Sequence, residues 1–396
     1  MAQQGTTRPA RAAVPLLALV AVILVALSLR GPVSSVGPLL EELRGDLGLS
    51  GAAVALLPTL PLLCFGVLSP LAPALSGWLG LHRAVLGGAA VLALGIALRG
   101  AGTLGLFTGT LLIGAGIAVC NVLLPAVVKA DFSDRLALAT ALTTSSMAVS
   151  ASAGAGLAQP LREVTGGPLS SLAWWLLPAA VGVVAWAVFT RTHPGVVGPT
   201  GTTRVLPLLR DRVALAVTVF FGLQSLAFYT LLAWLPSILR DAGVGAGEAG
   251  AMLAVAALIG APVSFLVPRL AVRRPAQGLW VLVVAVPSAL GLLGLLTAPA
   301  AAPWVWSVLL GLGTGAAFPL ALTIVLLRSR DSQQAARLSG AAQGAGYALA
   351  ASGPFVIGLL HDATGSWTPS LLLMLTLLTA QVLVGLSAAK DRTVTG

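Results

Sequence analysis

Charge is what this sequence has least of. Only 9% of its 396 residues are charged, against about 25% in an ordinary soluble chain, which excludes a conventional solvated surface. Cysteine is nearly missing too. Cys64 and Cys120 both sit inside apolar runs, in no metal-ligand spacing, so neither a disulfide framework nor a zinc site is supported. No glycine-rich loop runs into Lys and Ser/Thr, so ATP-driven work by this chain is not expected, and no cofactor is implied. A membrane enzyme or sensor would need a reactive constellation or a soluble output domain, and neither is present.

Carboxylates are scarce in a telling way. All twelve fall in expected loops or at helix ends: Glu41, Glu42, Asp46, Asp131, Asp134, Glu163, Asp211, Asp241, Glu248, Asp331, Asp362 and Asp391. No expected helix centre carries one, so the usual intramembrane proton carrier is missing.

What fills the chain is apolar: 57% of residues are hydrophobic and the mean hydropathy is +0.99. A helix needs roughly 20 mostly apolar residues to cross a bilayer. Such runs fall near 14–39, 51–77, 84–101, 103–128, 136–159, 169–190, 213–239, 247–268, 277–298, 303–327, 338–360 and 367–388. They predict an all-α polytopic membrane protein of twelve transmembrane helices. Arg8 and Arg11 before Val14–Leu29 resemble a signal peptide, but the many later spans favour an uncleaved first helix.

The net charge of +10 could suggest nucleic-acid binding, yet the basic residues are scattered through short gaps. With the N-terminus inside, about 17 of the 22 fall on one side, among them Arg83, Lys129, Arg191, Arg269, Arg273, Arg274, Arg328, Lys390 and Arg392. The other side keeps Arg44, Arg162 and Arg240. Positive loops mark the cytoplasm, so both termini are expected there, in a bacterial-type cytoplasmic membrane, with lipid and no nucleic acid as partner.

A Thr-, Gly- and Pro-rich stretch at 191–212 reads as a cytoplasmic linker between six-helix halves at 1–190 and 213–396. A weak repeat agrees. Gly114-Ala115-Gly116 before Lys129 finds an echo in Gly311-Leu312-Gly313 before Arg328, and Pro38-Leu39-Leu40 in Pro236-Ser237-Ile238. Paired halves holding a solute at mid-membrane are a recurrent transporter plan.

Arg30 is the most informative residue, because it lies near the middle of its apolar run. A central arginine costs roughly 2.5–3.5 kcal/mol on insertion scales and usually faces a cavity or a partner. Pro32 and Pro38 remove backbone donors nearby, loosening the helix. Arg30 and Ser34, four apart, share a face. The competing reading is a structural arginine bonded to the freed carbonyls. A guanidinium with no fixed negative charge around it favours an anion or an electron-rich polar ring.

Helical spacing gathers Asn121, Gln224 with Phe228, Thr314 with Phe318, and Gln343 with Tyr347, a mixture of polar groups and aromatic walls suited to a small flat solute. Packing alone would also explain an aromatic stripe. Arg99, at the outer end of its helix, either joins this site or snorkels into the interface. Trp174, Trp175, Trp304 and Trp367 lie near helix ends, where interfacial belts form. Small residues crowd the fifth helix (Ser145, Ser146, Ser150, Ser152, Gly154, Gly156) and the eleventh (Gly340, Gly344, Gly346, Gly353), allowing close helix approach.

Several stretches together carry a family resemblance. They are Leu29-Arg30-x-Pro32, Ser35-Val36-Gly37-Pro38-Leu39-Leu40, Arg99, Asn121 through Pro125 to Lys129, and Leu172-Ala173-Trp174-Trp175-x-Leu177-Pro178. The second half adds Ala233-Trp234-Leu235-Pro236, Gly315-Ala316-Ala317-Phe318-Pro319-Leu320 and Gln343-Gly344-x-Gly346-Tyr347. The chain resembles the major facilitator superfamily, in its branch of cyanate and 2-nitroimidazole transporters. The resemblance implies a monomeric rocker-switch carrier whose first, fourth, seventh and tenth helices line a cavity, with Arg30, Asn121 and Phe318 facing the solute. It departs from the wider superfamily after the second helix, where Gly77-Trp78 before Gly80 replace an Asp-Arg pair. The leading expectation is a secondary carrier for a small anion or small nitro-heteroaromatic solute. A proton-coupled multidrug exporter is the alternative, and the missing intramembrane carboxylate counts against it.

Overall fold

The computed structural model describes residues 16–132, 136–192, 208, 210–330 and 332–394. Arg8, Arg11, Asp134, Arg135, Arg204 and Asp331, most of the expected linker at 191–212, and both chain ends lie outside the described residues. The rest forms twelve long helices in the order expected: α1 Leu16–Ser34, α2 Gly51–Leu68, α3 Leu81–Arg99, α4 Gly102–Asp131, α5 Leu136–Thr165, α6 Leu176–Thr192, α7 Arg212–Asp241, α8 Ala246–Ala271, α9 Gly278–Thr297, α10 Pro303–Leu327, α11 Ser332–Thr364 and α12 Thr368–Ala388. Short helices Leu40–Leu47, Ala72–Leu79 and Pro168–Ala173 extend or precede three of them.

Eleven of the described helical segments are long and apolar enough to cross a membrane. The fifth expected span is occupied by α5, a 30-residue helix rich in Ala, Ser, Thr and Gly. Helices apolar on all sides suit a lipid surround, where every backbone polar group must be paired within the segment. Polar turns lengthen α5 and α11 beyond their apolar runs, while the expected runs 51–77 and 169–190 each take in a long helix and a short one. Gly48 closes the short helix after α1 at φ +63°, a left-handed conformation that glycine adopts without a Cβ penalty.

The pairing of helices repeats between halves. In the first six, α1 packs on α5 and α6, α3 on α4 and α6, and α2 on α4. In the second six, α7 packs on α11 and α12, α9 on α10 and α12, and α8 on α10. The halves then meet through α2 against α11 and α5 against α8. Small residues set these seams: a Cβ on Gly66 of α2 would stand 3.1 Å from the Ala348 nitrogen of α11, and one on Gly250 of α8 2.9 Å from the Ala155 oxygen of α5.

Two loop faces result. One carries Arg83, Asp131, Arg191, Arg269, Arg273, Arg274, Arg328, Lys390 and Arg392, and is called the basic face below. The other, holding Glu41, Glu42, Arg44, Arg240, Asp241 and Asp362, is called the paired face. Every described acidic residue lies near one of these faces, in short helix 40–47, at a helix terminus or just beyond it.

Candidate solute-binding site

Arg30 lies close to the centre of the apolar span Leu17–Leu47. The local backbone is opened there, as Pro32 predicts, but a hydroxyl from α5 does part of the opening. Ser150 accepts from the Gly31 N–H at 2.8 Å and donates to the Leu27 carbonyl, standing beside the rung that would join those two groups. One residue later the Pro32 ring supplies no donor at all. Val36 then turns its N–H to Val33 at 3.2 Å, which leaves the Pro32 carbonyl without its helical donor.

That carbonyl is taken by Arg99 of α3, at 2.6 Å from Nη1, while Nε donates to Thr110 at 3.1 Å. Arg99 is 0% exposed. The snorkelling expectation is therefore corrected: the last turn of α3 is covered by α1 and α4, so Arg99 cannot reach the interface. The structural role weighed for Arg30, bonding a carbonyl freed in the proline-broken stretch, is filled by Arg99 instead. With no exposed surface, Arg99 does not meet the expectation of a solute contact either.

Arg30 itself is half-buried, and its Nη1 donates to the Tyr229 hydroxyl of α7 at 2.7 Å. Its guanidinium carbon stands 6.0 Å from that ring's centre. No carboxylate among the described residues pairs with it. Tyr229 is one of only two tyrosines in the chain, and the other, Tyr347 of α11, has its ring centre 6.3 Å away. Phe65 of α2 packs against both, at 6.1 and 5.4 Å, and Phe228 against Tyr229 at 5.1 Å. From Tyr347 the rings continue to Phe221 at 5.3 Å and on to Phe318 of α10 at 5.7 Å. Edge-to-face contacts of this kind fix ring positions as well as burying area.

The structure thus brings together Arg30, Phe228, Phe318 and Tyr347 of the expected residues. Asn121 is half-buried on α4, with its Oδ1 buried and unpartnered. Gln343 is half-buried and donates to Ser339 at 2.9 Å. Two expected residues turn away. Ser34 is fully buried and donates to the Ala151 carbonyl of α5 at 2.8 Å, because the break at Pro32 and the close approach of α5 direct it there. Gln224 is buried, donating to its own helix at Phe221 and to Ser225, though its Oε1 has no partner. Trp175 is likewise no belt residue: it is 4% exposed, and its ring covers Gly31 so closely that a Cβ there would meet it. Trp174 and Trp304 are exposed at helix ends, in keeping with a belt.

Sequence reasoning missed Tyr229, Phe65 and Phe221. Aromatics in apolar helices look like packing, and only the scarcity of tyrosine marked Tyr229 out.

Above this site ion pairs cross between the halves at the paired face: Arg44 with Asp362 at 2.8 Å, and Arg240 with Glu41 at 2.8 Å and Glu42 at 2.9 Å. Gln159 holds Glu42 from behind at 2.9 Å, and His361 stacks on Trp367 at 3.7 Å. At the basic face the described ion pairs stay within one half, His82 with Asp131 and Arg328 with Asp391. A mid-span cation flanked by aromatic rings from both halves can hold a small polar or anionic solute, and a site between two halves can be opened from either side.

Comparison with known proteins bears on the family and the fold. A family model described as Major Facilitator Superfamily matches residues 18–354. An uncharacterized transporter, YycB, of Bacillus subtilis is 38% identical over 94% of this chain and 93% of its own length. The 2-nitroimidazole transporter of Escherichia coli is 34% identical over 94% of this chain and 95% of its own, and the cyanate transport protein CynX of the same organism 32% over 88% and 91%. Among solved structures, a bacterial homolog of the human lysosomal transporter Spinster, inward-facing, covers 97% of this chain and 98% of its own with a TM-score of 0.72 at 14% identity. The D-xylose-proton symporter covers 96% and 97% with a TM-score of 0.71 at 13% identity. A family model over most of the chain, relatives alike over nearly its whole length and a helix pairing repeated between halves converge on one conclusion: this multi-pass membrane chain is a transport protein of the major facilitator superfamily.

Proposed function

We propose that the protein is an alternating-access secondary carrier for a small anion or a small nitro-heteroaromatic solute, acting as a monomer in the cytoplasmic membrane. The observation that carries this reading is Arg30: a half-buried guanidinium near the middle of the span, held by a neutral hydroxyl and by no carboxylate among the described residues. A buried charge needs compensation, and an anion or a polar nitro group would supply it by charge-assisted hydrogen bonds, roughly twice as strong as neutral ones. The nearby rings of Phe228 and Tyr347, with Phe318 farther along the same chain of ring contacts, suit a flat solute, with Asn121 and Gln343 proposed as polar contacts. The named activities of the E. coli relatives, cyanate and 2-nitroimidazole transport, fall in this class.

The basic face is placed in the cytoplasm by the positive-inside rule, and one-sided labelling of introduced cysteines checks it. Solute flux is expected to persist without an imposed proton gradient, because no described helix carries a carboxylate at its centre. Uptake of labelled cyanate and 2-nitroimidazole into proteoliposomes tests the solute class. On purified, folded protein, Arg30→Ala should weaken binding by roughly 2–5 kcal/mol, the range for truncating one side of a buried charged hydrogen bond. Arg30→Lys, which keeps the charge and loses the fork geometry, should retain part of it. Wild-type affinity in a well-folded Arg30→Ala protein would overturn the reading.

A further inference from the structure

We propose that Tyr229 is the positioning residue of this site and acts as a stand-in for the solute: its hydroxyl holds Arg30 whenever the solute does not, so that solute capture and release of one contact between the halves are a single event. The inference rests on the reading of Arg30 given above and adds to it a residue that binds Arg30 rather than the solute.

Three observations carry it. First, among the described residues the side-chain hydrogen bonds and ion pairs that join the halves fall in two places: the paired face, with Arg44 to Asp362 and Arg240 to Glu41 and Glu42, and mid-span, where Arg30 meets Tyr229. The mid-span bond is the one a solute at Arg30 would reach. Second, the partner is neutral. A carboxylate there would neutralise Arg30 and compete with any anion on equal terms, whereas a phenol orients the guanidinium and leaves its charge unspent. An anion offering two oxygens to the planar fork displaces a single neutral acceptor. Third, Tyr229 does not owe its place to Arg30. Its ring is 5% exposed and wedged among Phe65, Phe228 and Tyr347, so it stays poised when the bond is broken.

The position of Tyr229 also follows from the repeat. Arg30 lies on the first helix of one half and Tyr229 on the first helix of the other, and the echo of Pro38 at Pro236 puts Phe228 opposite Arg30 in the repeat, one residue from Tyr229. The two equivalent helices therefore touch at equivalent depth. A bond at that point resists separation of the halves on the paired side, in step with the ion pairs above it.

Tyr229→Phe removes the hydroxyl and keeps the ring. With Cys64 and Cys120 replaced, spin labels at Asp46 and Gly247, on the paired face of opposite halves, report the opening of that face without any solute. The expected result is a rise of about tenfold in the open-to-closed ratio of the solute-free protein, the size of effect that a hydrogen bond to a charged group supports. Affinity for cyanate or 2-nitroimidazole, measured on the same folded protein, should tighten severalfold, a gain that damaged packing would not produce. An unchanged distance distribution, or an affinity that falls, overturns the proposal, the latter by making Tyr229 an ordinary solute ligand. Should the wild type bind neither probe, the solute class proposed above fails, and the solute-free distances alone decide the role of Tyr229. Arg30→Met supplies a second route: it should shift the distances as Tyr229→Phe does, with no further shift in the double variant, and additive shifts would count against the bond.

Discussion

Two arginines sit in the apolar slab without a carboxylate, and they do different work. Arg99 is wholly enclosed and spends its donors on the Pro32 carbonyl and Thr110. Arg30 is only half-buried and holds one hydroxyl. Removing Arg99 strands the Pro32 oxygen beside a proline break, so Arg99→Ala should lower stability by about 1–3 kcal/mol for the group left unpaired. Thermal unfolding of the detergent-purified protein measures this, and the folded fraction should bind solute normally, unlike Arg30→Ala. Arg30 was legible in the sequence because a charge in mid-run has few explanations. Arg99 was not, since the end of a span is exposed or buried according to which helices cover it, and no local pattern encodes that. Ser34 misled for a related reason: an i, i+4 relation fixes a face of an ideal helix, and α1 is not ideal between Leu27 and Val36.

At the scale of elements, the seam between α1 and α5 is the tightest feature around the site. Gly154 of α5 lies against Gly31 and Ser34, and a Cβ there would stand 2.6 Å from the Gly31 oxygen, a backbone atom that cannot swing aside. Gly154→Ala should therefore cost about 1–3 kcal/mol, as overpacking does, seen as a lowered unfolding temperature. Gly247→Ala, which meets nothing within 4 Å, serves as the control. A second device recurs in both halves. The start of α3 is tied to the end of α4 by His82 and Asp131 at 2.8 Å, and the start of α9 to the end of α10 by Gln277 and Arg328. The glycine repeat that relates α4 to α10 was visible in the sequence, but these ties were not, because their chemistry differs between halves. Helix number and order were legible from apolar runs alone. The extra turns of α5 and α11 were not, because polar residues beyond the apolar slab carry no hydropathy signal.

For the molecule as a whole, the repeated helix pairing is what the proposed alternating access would require. The halves touch along α2 with α11 and α5 with α8, and ion pairs cross between them at the paired face. Between these contacts Arg30 holds a positive charge that no carboxylate among the described residues pairs with, and its setting has an electrical consequence. A unit charge carried across the whole membrane field is worth about 2.3 kcal/mol per 100 mV. If reorientation shifts Arg30 through roughly a quarter of that field, the solute-free equilibrium shifts by about 0.6 kcal/mol, a factor of up to about three per 100 mV, part of which appears in the rate. With a monoanion bound the site is neutral, and the same movement becomes indifferent to voltage. Anion-for-anion exchange in potassium-clamped liposomes should then be flat in membrane potential while net flux is steep. Equal steepness of the two would mean that the charge does not move with the halves. On this account the membrane potential acts on the return of the unloaded protein, so the cell's voltage sets how often the site is offered rather than how firmly it holds.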